Sequence, residues 1–274
     1  MSKKVLAVIP ARFGSMRFPG KVLANLGGKP IVQHVWERTN YSKADEVLVA
    51  VDDREVYNTV TGFGGKAVMT SSSHPSGSDR IFEAIGDVEC DAVINVQGDE
   101  PFIRPEVINA LIDVITEEDG PDMATVVVPC EREEIADNPN IVKVVMSSDH
   151  HALYFSRSMI PFLRTGGEEM PCYRHWGIYA YKRSALAKFV SLPEGRLERC
   201  EKLEQLRALE NNMRIKCVVT EYSSIGIDTP EELEKAEAFL AEEKNVPEKN
   251  WNRWQQFPLK MQKKLNSSKK YSEV

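Results

Sequence analysis

Short apolar runs alternate with segments of helical periodicity in the first half of the chain, and this alternation constrains the fold more than any other feature. The apolar runs are long enough for buried strands and too short for helices, and they lie at 5–9, 46–51, 66–69, 91–96 and 123–128. Helices are predicted between them at 30–39, 54–63, 81–85 and 105–118. This order is typical of an α/β fold, in which a mostly parallel sheet carries helices on both faces. Right-handed crossovers would bring the carboxyl ends of these strands to one edge.

The pattern changes after about residue 131. Short strands at 142–146, 152–156 and 177–181 are separated by polar turns, which predicts a smaller antiparallel lobe over about 140–182, laid on the sheet edge. A charged amphipathic helix is predicted at 197–209, a strand at 215–219, and a last helix that starts from a capping box at 229–232. We therefore expect one globular unit over 1–245 and an extension over 246–274.

The loop at 10–21 directly follows the first predicted strand. It carries three cations, Arg12, Arg17 and Lys21, together with the Ser15 hydroxyl, two glycines and two prolines. The spacing matches neither G-x-x-x-x-G-K-[ST] nor G-x-G-x-x-G, and the latter mismatch argues against a dehydrogenase. A basic loop at this edge of an α/β sheet is nevertheless where such folds bind phosphates. The sequence favours a phosphate-binding loop, and a solvated basic turn is the alternative.

Two acidic residues follow other predicted strands. Asp99 lies just after the strand at 91–96, and Asp228 lies just before the last helix. Mg²⁺ prefers one or two carboxylates together with substrate phosphates and water, so this pair predicts a magnesium site opposite the basic loop. The alternatives are a turn residue for Asp99 and a helix cap for Asp228.

Charge and composition exclude several classes of protein. Residues 249–274 carry a net charge of +6 and residues 1–248 carry −12, and so acidic a body is not expected to bind nucleic acid. The five cysteines are an odd number without a C-x-x-C pair, which is typical of reduced thiols in a cytoplasmic protein. We expect no membrane span and no signal peptide, because no apolar run is long enough.

Several further segments, taken in order, carry a resemblance to one family. They read PARFGSMRFPGK (10–21), HPSGSDR (74–80), NVQGDEP (95–101), NPNIVKVV (138–145), ALYFSR (152–157), RHWGIYAY (174–181), RCEKLEQLRALE (199–210) and IGIDTPEEL (225–233). Over about residues 4–240 the chain resembles the bacterial 3-deoxy-manno-octulosonate cytidylyltransferases, or CMP-Kdo synthetases. The resemblance implies a Rossmann-like nucleotidyltransferase sheet and CMP transfer from CTP to the anomeric hydroxyl of the eight-carbon acidic sugar Kdo, with pyrophosphate released. It also implies a cytoplasmic homodimer that serves lipopolysaccharide synthesis. We expect the dimer contact in the antiparallel lobe at 140–182.

The resemblance also implies roles for individual residues. The CTP phosphates would be bound by Arg12, Ser15, Arg17 and Lys21, and the cytidine end by Ser76, Gly77 and Arg80. Asp99 and Asp228 would ligate Mg²⁺ and, with Arg12 and Lys21, form the catalytic set. The sugar pocket would be lined by Gln97, Arg157, His175, Tyr179, Glu204 and Gln205. A structural salt bridge is the alternative for Arg157 and Glu204, and a core histidine is the alternative for His175.

Two departures from the family pattern leave questions open. The segment at 162–169 is short and differs from the loop usual in the family, so the 8-amino analogue of Kdo stays open as the substrate. A CMP-sialic acid synthetase and a non-catalytic nucleotide-binding module are the further alternatives. The extension at 246–274 holds Trp251, Trp254, Phe257 and several lysines, which predicts either a membrane-surface or partner contact or a segment packed on the body.

Overall fold

A computed structural model describes residues 3–15, 17–167, 170–222 and 224–244. Its strands are β1 (Val5–Ala11), β2 (Asn25–Leu26), β3 (Lys29–Pro30), β4 (Glu46–Val51), β5 (Lys66–Met69), β6 (Ala92–Asn95), β7 (Met123–Cys130), β8 (Lys143–Met146), β9 (Ala152–Ser156), β10 (Cys172–Lys182) and β11 (Ile215–Val219). Its α-helices are α1 (Ile31–Asn40), α2 (Arg54–Gly62), α3 (Gly77–Ile85), α4 (Pro105–Ile115), α5 (Arg132–Ile135), α6 (Arg183–Ser191), α7 (Arg196–Glu201), α8 (Gln205–Glu210) and α9 (Pro230–Lys244). A single 3₁₀ turn at Lys21–Leu23 follows β1. The predicted extension at 246–274 lies outside the described residues.

The central sheet has the strand order β11-β7-β10-β6-β1-β4-β5. Strands β6, β1, β4 and β5 pair in parallel, as do β11 and β7. Strand β10 is antiparallel to both of its neighbours, β6 and β7. The predicted α/β fold with a mostly parallel sheet is therefore confirmed.

Alternate residues of each central strand supply two apolar layers, because successive strand side chains point to opposite faces. In β1, Val5, Ala7 and Ile9 join the layer formed with α1, α2 and α4. Leu6 and Val8 join the layer formed with α3, α6 and α8. Helix α9 packs in a third, smaller cluster with Leu26 and Phe102. Helices thus cover both faces of the sheet, as the sequence predicts.

Three predicted elements differ from the structure by more than a few residues at their ends. Helix α3 starts at Gly77 instead of residue 81, because the Ser76 side chain caps the Asp79 amide. The helix predicted at 197–209 is divided into α7 and α8, because Lys202 adopts a left-handed backbone with φ 52°.

The third difference concerns the antiparallel lobe. The short strand predicted at 177–181 is the second half of the eleven-residue strand β10, which lies inside the central sheet. Strands β8 and β9 pair with each other, and β8 joins β10 where Lys143 lies opposite Arg174. The lobe is therefore continuous with the sheet instead of lying on its edge.

Candidate active site

The basic loop at 10–21, here called the phosphate loop, is closed on itself at the end of β1. The Gly20 amide donates to the Phe13 carbonyl over 2.9 Å, and Gly20 has φ 69°, a conformation that glycine adopts without the strain of a side chain. The Phe13 amide donates to Asp52 Oδ1 over 3.1 Å, which ties the loop to the end of β4. Arg12 and Arg17 are exposed along this loop. Their guanidinium groups are therefore accessible to an anion.

The two predicted metal acids, far apart in the sequence, meet at one amine. Lys21 Nζ donates to Asp99 Oδ2 over 2.5 Å and to Asp228 Oδ1 over 2.7 Å, and Arg17 Nη2 donates to Asp228 Oδ2 over 2.7 Å. The Ile227 amide donates to the Asp99 carbonyl over 2.9 Å, so the two acidic segments are also joined through the backbone. The sequence-predicted set of Lys21, Arg17, Asp99 and Asp228 is thus one cluster.

The capping box predicted at 229–232 holds Asp228 in place. Glu232 Oε2 accepts from the Asp228 amide over 2.8 Å and from the Thr229 amide over 3.2 Å, while Thr229 Oγ1 accepts from the Glu232 amide. The helix-cap interpretation and the site interpretation of this segment are therefore compatible. The cap fixes the backbone, and the Asp228 carboxylate points to Lys21.

Charge pairing dominates the electrostatics of this cluster. Burial disfavours the Lys21 ammonium and by itself would lower the pKa of Lys21. The charges and hydrogen bonds of Asp99 and Asp228 have a larger combined effect, so the pKa of Lys21 is raised. Burial also disfavours the Asp228 carboxylate, but the hydrogen bond and charge of Lys21, together with Arg17, lower its pKa. Lys21 and Asp228 are consequently both charged at neutral pH.

The acid pair suits a hard divalent cation. Within the described residues no group of three or more histidine, cysteine, aspartate or glutamate side chains could hold a metal ion. Asp99 and Asp228 nevertheless enclose a cation already, since one ammonium lies within 2.7 Å of both carboxylates. One or two carboxylates are sufficient for Mg²⁺ when phosphates and water complete its coordination shell. The residues present therefore fit a magnesium ion that shares its ligands with a phosphate substrate.

The residues predicted for the cytidine end lie at the start of α3. A side chain at Gly77 would lie 3.8 Å from Pro10, so this helix start is close to the phosphate loop. The Ser76 hydroxyl donates to Asp79 Oδ2 over 2.7 Å. The amino-terminal end of α3 thus lies beside the phosphate loop.

Arg80 has different surroundings from those that the sequence suggests. It is fully buried and donates to Asp52 Oδ2 over 2.9 Å and to Thr70 Oγ1 over 2.7 Å. Because Asp52 Oδ1 accepts from Phe13, Arg80 supports the phosphate loop from behind. Its contact with the cytidine end stays a prediction.

Two of the predicted sugar residues, His175 and Tyr179, lie together on β10. Their ring centroids are 5.4 Å apart, and the His175 ring also meets Phe155 edge-on at 5.0 Å. His175 Nε2 lies 2.9 Å from Thr125 Oγ1, and burial lowers the pKa of His175 to about 3. Burial likewise raises the pKa of Tyr179. Both side chains are therefore neutral at physiological pH, and His175 also satisfies the core-histidine alternative.

Glu204 and Gln205 bring polar atoms to the same side of the sheet. Glu204 Oε2 accepts from Ser78 Oγ over 3.1 Å, while burial raises the pKa of Glu204. Glu204 Oε1 and Gln205 Nε2 are buried without a hydrogen-bond partner in the described structure. Gln97 Nε2 donates to Asn95 Oδ1 over 3.3 Å at the end of β6. Buried polar atoms normally find partners, so Glu204 and Gln205 have hydrogen-bonding capacity for a hydroxyl-rich ligand.

Arg157 is engaged by backbone carbonyls instead of a carboxylate. Its guanidinium donates to Glu201 O over 2.7 Å, to Pro139 O over 3.0 Å and to Lys202 O over 3.3 Å. This arrangement anchors the turn between α7 and α8, next to Glu204. Its contact with a sugar carboxylate stays a prediction. Within the described residues its guanidinium contacts backbone carbonyls and forms no salt bridge, unlike the alternative that the sequence left open.

Sequence reasoning missed three buried groups beside the site. Lys143 is fully buried, and its ammonium donates to Asn138 O and to Arg157 O, both over 2.8 Å. Asp52 links Arg80 to the phosphate loop, as described above. Glu100 Oε1 accepts from Trp176 Nε1 over 3.0 Å, and burial raises the pKa of Glu100 to about 7. The only signal in the sequence was that each lies in or beside a strand with polar neighbours.

Comparison with known proteins agrees with this geometry. The profile of the family described as cytidylyltransferase matches residues 6–215. The chain therefore belongs to the cytidylyltransferase family.

The helices of the chain were also compared with the length of a membrane span. Among residues 3–15, 17–167, 170–222 and 224–244 of the chain, no helix is long and apolar enough to cross a membrane.

Individual relatives show which members of the cytidylyltransferase family the chain resembles. The chain is 52% identical over 249 residues to the 3-deoxy-manno-octulosonate cytidylyltransferase of Thermodesulfovibrio yellowstonii, covering 86% of this chain and 97% of the relative. It is 49% identical over 241 residues to the 8-amino-3,8-dideoxy-manno-octulosonate cytidylyltransferase of Shewanella pealeana, covering 86% and 98%. A solved CMP:2-keto-3-deoxy-manno-octonic acid synthetase complexed with CTP superposes with a TM-score of 0.84 at 43% identity, covering 88% of this chain and 99% of that one. The resemblance predicted from the sequence motifs is thereby confirmed.

Proposed function

We propose that this protein transfers CMP from CTP to the anomeric hydroxyl of 3-deoxy-D-manno-octulosonate, giving CMP-Kdo and pyrophosphate for lipopolysaccharide synthesis. The observation that carries the proposal is the 52% identity over 97% of a cytidylyltransferase named for this sugar acid. The gathering of Lys21, Asp99 and Asp228 at the phosphate loop supports the same chemistry.

The reaction requires alignment and charge neutralisation more than covalent participation by the protein. The anomeric hydroxyl loses its proton to solvent water and its oxygen bonds to the α-phosphorus of CTP. The anhydride bond to the β-phosphate breaks, and pyrophosphate leaves with the bonding electrons. Arg12, Arg17 and Lys21 would neutralise the triphosphate from the phosphate loop, and Ser15 would add a hydroxyl donor. Ser76 and Gly77 would meet the cytidine end from the start of α3.

Asp99 and Asp228 are the residues that would hold a magnesium ion. When bound, the ion would supply positive charge against the triphosphate and the developing charge on the leaving pyrophosphate. The chain's own contribution is to hold the two carboxylates at one place through the Asp99–Ile227 backbone bond and the cap at Glu232.

The sugar would lie over β10 and the start of α8. Glu204 Oε1 and Gln205 Nε2 supply an acceptor and a donor that are buried and without a protein partner in the described structure. Neutral His175 and Tyr179 would contact the sugar through their rings, with Gln97 at the phosphate end. Arg157 would act on this pocket by anchoring the turn that carries Glu204.

The 8-amino analogue of Kdo is a second candidate substrate. The observation that favours it is the 49% identity to a cytidylyltransferase named for that amino sugar. Both candidates share the CTP chemistry, and they differ only in the group at the end of the sugar chain.

Pyrophosphate release from CTP tests the proposal directly. The protein is incubated with CTP, Mg²⁺ and either Kdo or its 8-amino analogue. Release with Kdo supports the main candidate, and release only with the amino sugar replaces it by the second. Asp99→Ala should abolish release, chelation of divalent cations should stop it, and Asp113→Ala, which removes an exposed acid on α4, should retain it. No release with either sugar from folded protein would overturn the proposal.

We propose that the protein forms a homodimer with a second copy of the chain. We also propose that it acts in the cytoplasm, where CTP is available. Three large apolar side chains on the segment from β9 to β10 support a contact there, since Leu153 is 61% exposed, Phe162 88% and Met170 64%. A monomer in sedimentation at assay concentration would contradict the dimer.

A further inference from the structure

Lys21 occupies the position that a divalent cation would need between the two acids. Its ammonium donates to one oxygen of Asp99 and one of Asp228, at 2.5 Å and 2.7 Å. Arg17 takes the second oxygen of Asp228 at 2.7 Å. Three of the four carboxylate oxygens of the pair therefore already accept hydrogen bonds from cationic donors.

The charges of this cluster are already balanced. Two carboxylates face one ammonium and one guanidinium, so the local net charge is zero before any ion arrives. A divalent ion entering this cluster would compete with Lys21 for the same oxygens and would also be repelled by the two cations. The Lys21 side chain is only 12% exposed, whereas that of Arg17 is 67% exposed. Lys21 is therefore the more buried of the two cations that compete with a divalent ion for the carboxylate oxygens.

A triphosphate changes this balance, because it brings several negative charges to the phosphate loop that carries both cations. Lys21 starts a 3₁₀ turn after Gly20, and its amine ends a flexible four-carbon chain that can turn to a new acceptor. Drawing Lys21 and Arg17 to the phosphates would leave Asp99 and Asp228 uncompensated. Uncompensated paired carboxylates attract a divalent ion strongly.

We propose that Lys21 is a resident counter-ion that keeps the Asp99–Asp228 pair closed to divalent cations until a nucleoside triphosphate draws its ammonium away. Metal binding at this pair is then conditional on nucleotide, and the free enzyme does not hold the ion. The inference rests on the proposed function only for the identity of the nucleotide.

Binding of Mn²⁺ alone tests the role of the lysine without any turnover. The fraction of free Mn²⁺ is followed by electron paramagnetic resonance for wild type, Lys21→Met and Lys21→Gln, with no nucleotide present. Both variants should bind Mn²⁺ at least about tenfold more tightly than wild type, since they remove the competing charge. Lys29→Met, which removes a lysine paired with Glu37, should bind as wild type does.

Two further arms complete the test. The double variant Lys21→Met with Asp99→Asn should lose the gained affinity, which localises the ion to the acid pair. In wild type, adding CTP should raise Mn²⁺ affinity by about tenfold or more, whereas in Lys21→Met the increase should be much smaller.

Three results would overturn the proposal. The first is equal nucleotide-free affinity in wild type and both Lys21 variants, with urea unfolding showing that the variants fold. The second is gained binding that survives Asp99→Asn. The third is an equal effect of CTP in wild type and Lys21→Met. Absence of CTP binding in calorimetry would count against the proposed function, while the nucleotide-free arm would still decide the role of Lys21.

Discussion

His175 should make the stability of this protein fall as the pH is lowered, and His175→Gln should remove that dependence. The Thr125 hydroxyl donates its single proton to Ile178 O over 2.9 Å, so Thr125 Oγ1 accepts a hydrogen bond from the Nε2–H of neutral His175. Burial disfavours the imidazolium and lowers the pKa of His175 from 6.5 to about 3. Glutamine can still donate to Thr125 but does not titrate in this range.

The sign and size of the effect follow from proton linkage. Below pH 6.5, His175 binds a proton in the unfolded chain but stays neutral in the folded chain. The contribution of His175 to the free energy of unfolding is therefore fully present above pH 6.5 and is lost as the pH falls below it. Between about pH 7 and pH 5, the lost free energy of unfolding is about 2 kcal/mol. Because His175 is half-buried, the loss of about 2 kcal/mol is an upper bound.

Urea unfolding, followed by tryptophan fluorescence at the two pH values, measures the difference. Wild type should lose up to about 2 kcal/mol more than His175→Gln over this range, because all other titrating groups are shared by the two proteins. His175→Phe, which removes the donor as well as the charge, should show the same flattened pH dependence at lower overall stability. Equal pH dependence in wild type and both variants would refute the reasoning, since His175 would then not be the group that titrates.

Two further predictions concern stability at neutral pH. Gly98→Ala should destabilise the fold by about 1–3 kcal/mol, because the new Cβ would lie 2.7 Å from the Pro10 carbonyl oxygen. Gly14→Ala is the control: its new Cβ would have no atom within 4 Å, so it should leave the free energy of unfolding nearly unchanged in the same urea titration. Arg207→Met should cost about 3 kcal/mol, because it leaves the Glu198 carboxylate, 8% exposed, without the guanidinium that binds it at 2.7 Å and 2.8 Å. Combining it with Glu198→Leu should recover much of that loss in a double-mutant cycle, and purely additive losses would contradict the buried ion pair.

Buried polar contacts also indicate which arginines near the site hold the protein structure in place. Arg80 and Arg157 stand in motifs that indicate ligand binding, yet the guanidinium of each is bound by protein groups. Arg80 stabilises the phosphate loop through Asp52, and Arg157 anchors the turn before α8. Substitutions at either position should therefore lower stability as well as activity.

The sequence by itself determined the class of fold and most strand positions. Strands β4, β5, β9 and β11 begin and end at the predicted residues, because compact apolar runs with clear polar boundaries leave one way of burying them. The cationic loop and the two acids were also predictable. Strand carboxyl ends converge on one edge in this class of fold, and the capping box marks the turn that holds Asp228.

Only the tertiary structure decided which groups meet. The place of β10 between β6 and β7 depends on pairing partners distant in the sequence, and no local pattern encodes that choice. The break between α7 and α8 follows from the left-handed backbone of Lys202, a residue type that gives no such signal. The ammonium of Lys21 between Asp99 and Asp228 brings together segments 78 and 207 residues away along the chain, and distances of that kind exist only once the sheet has formed.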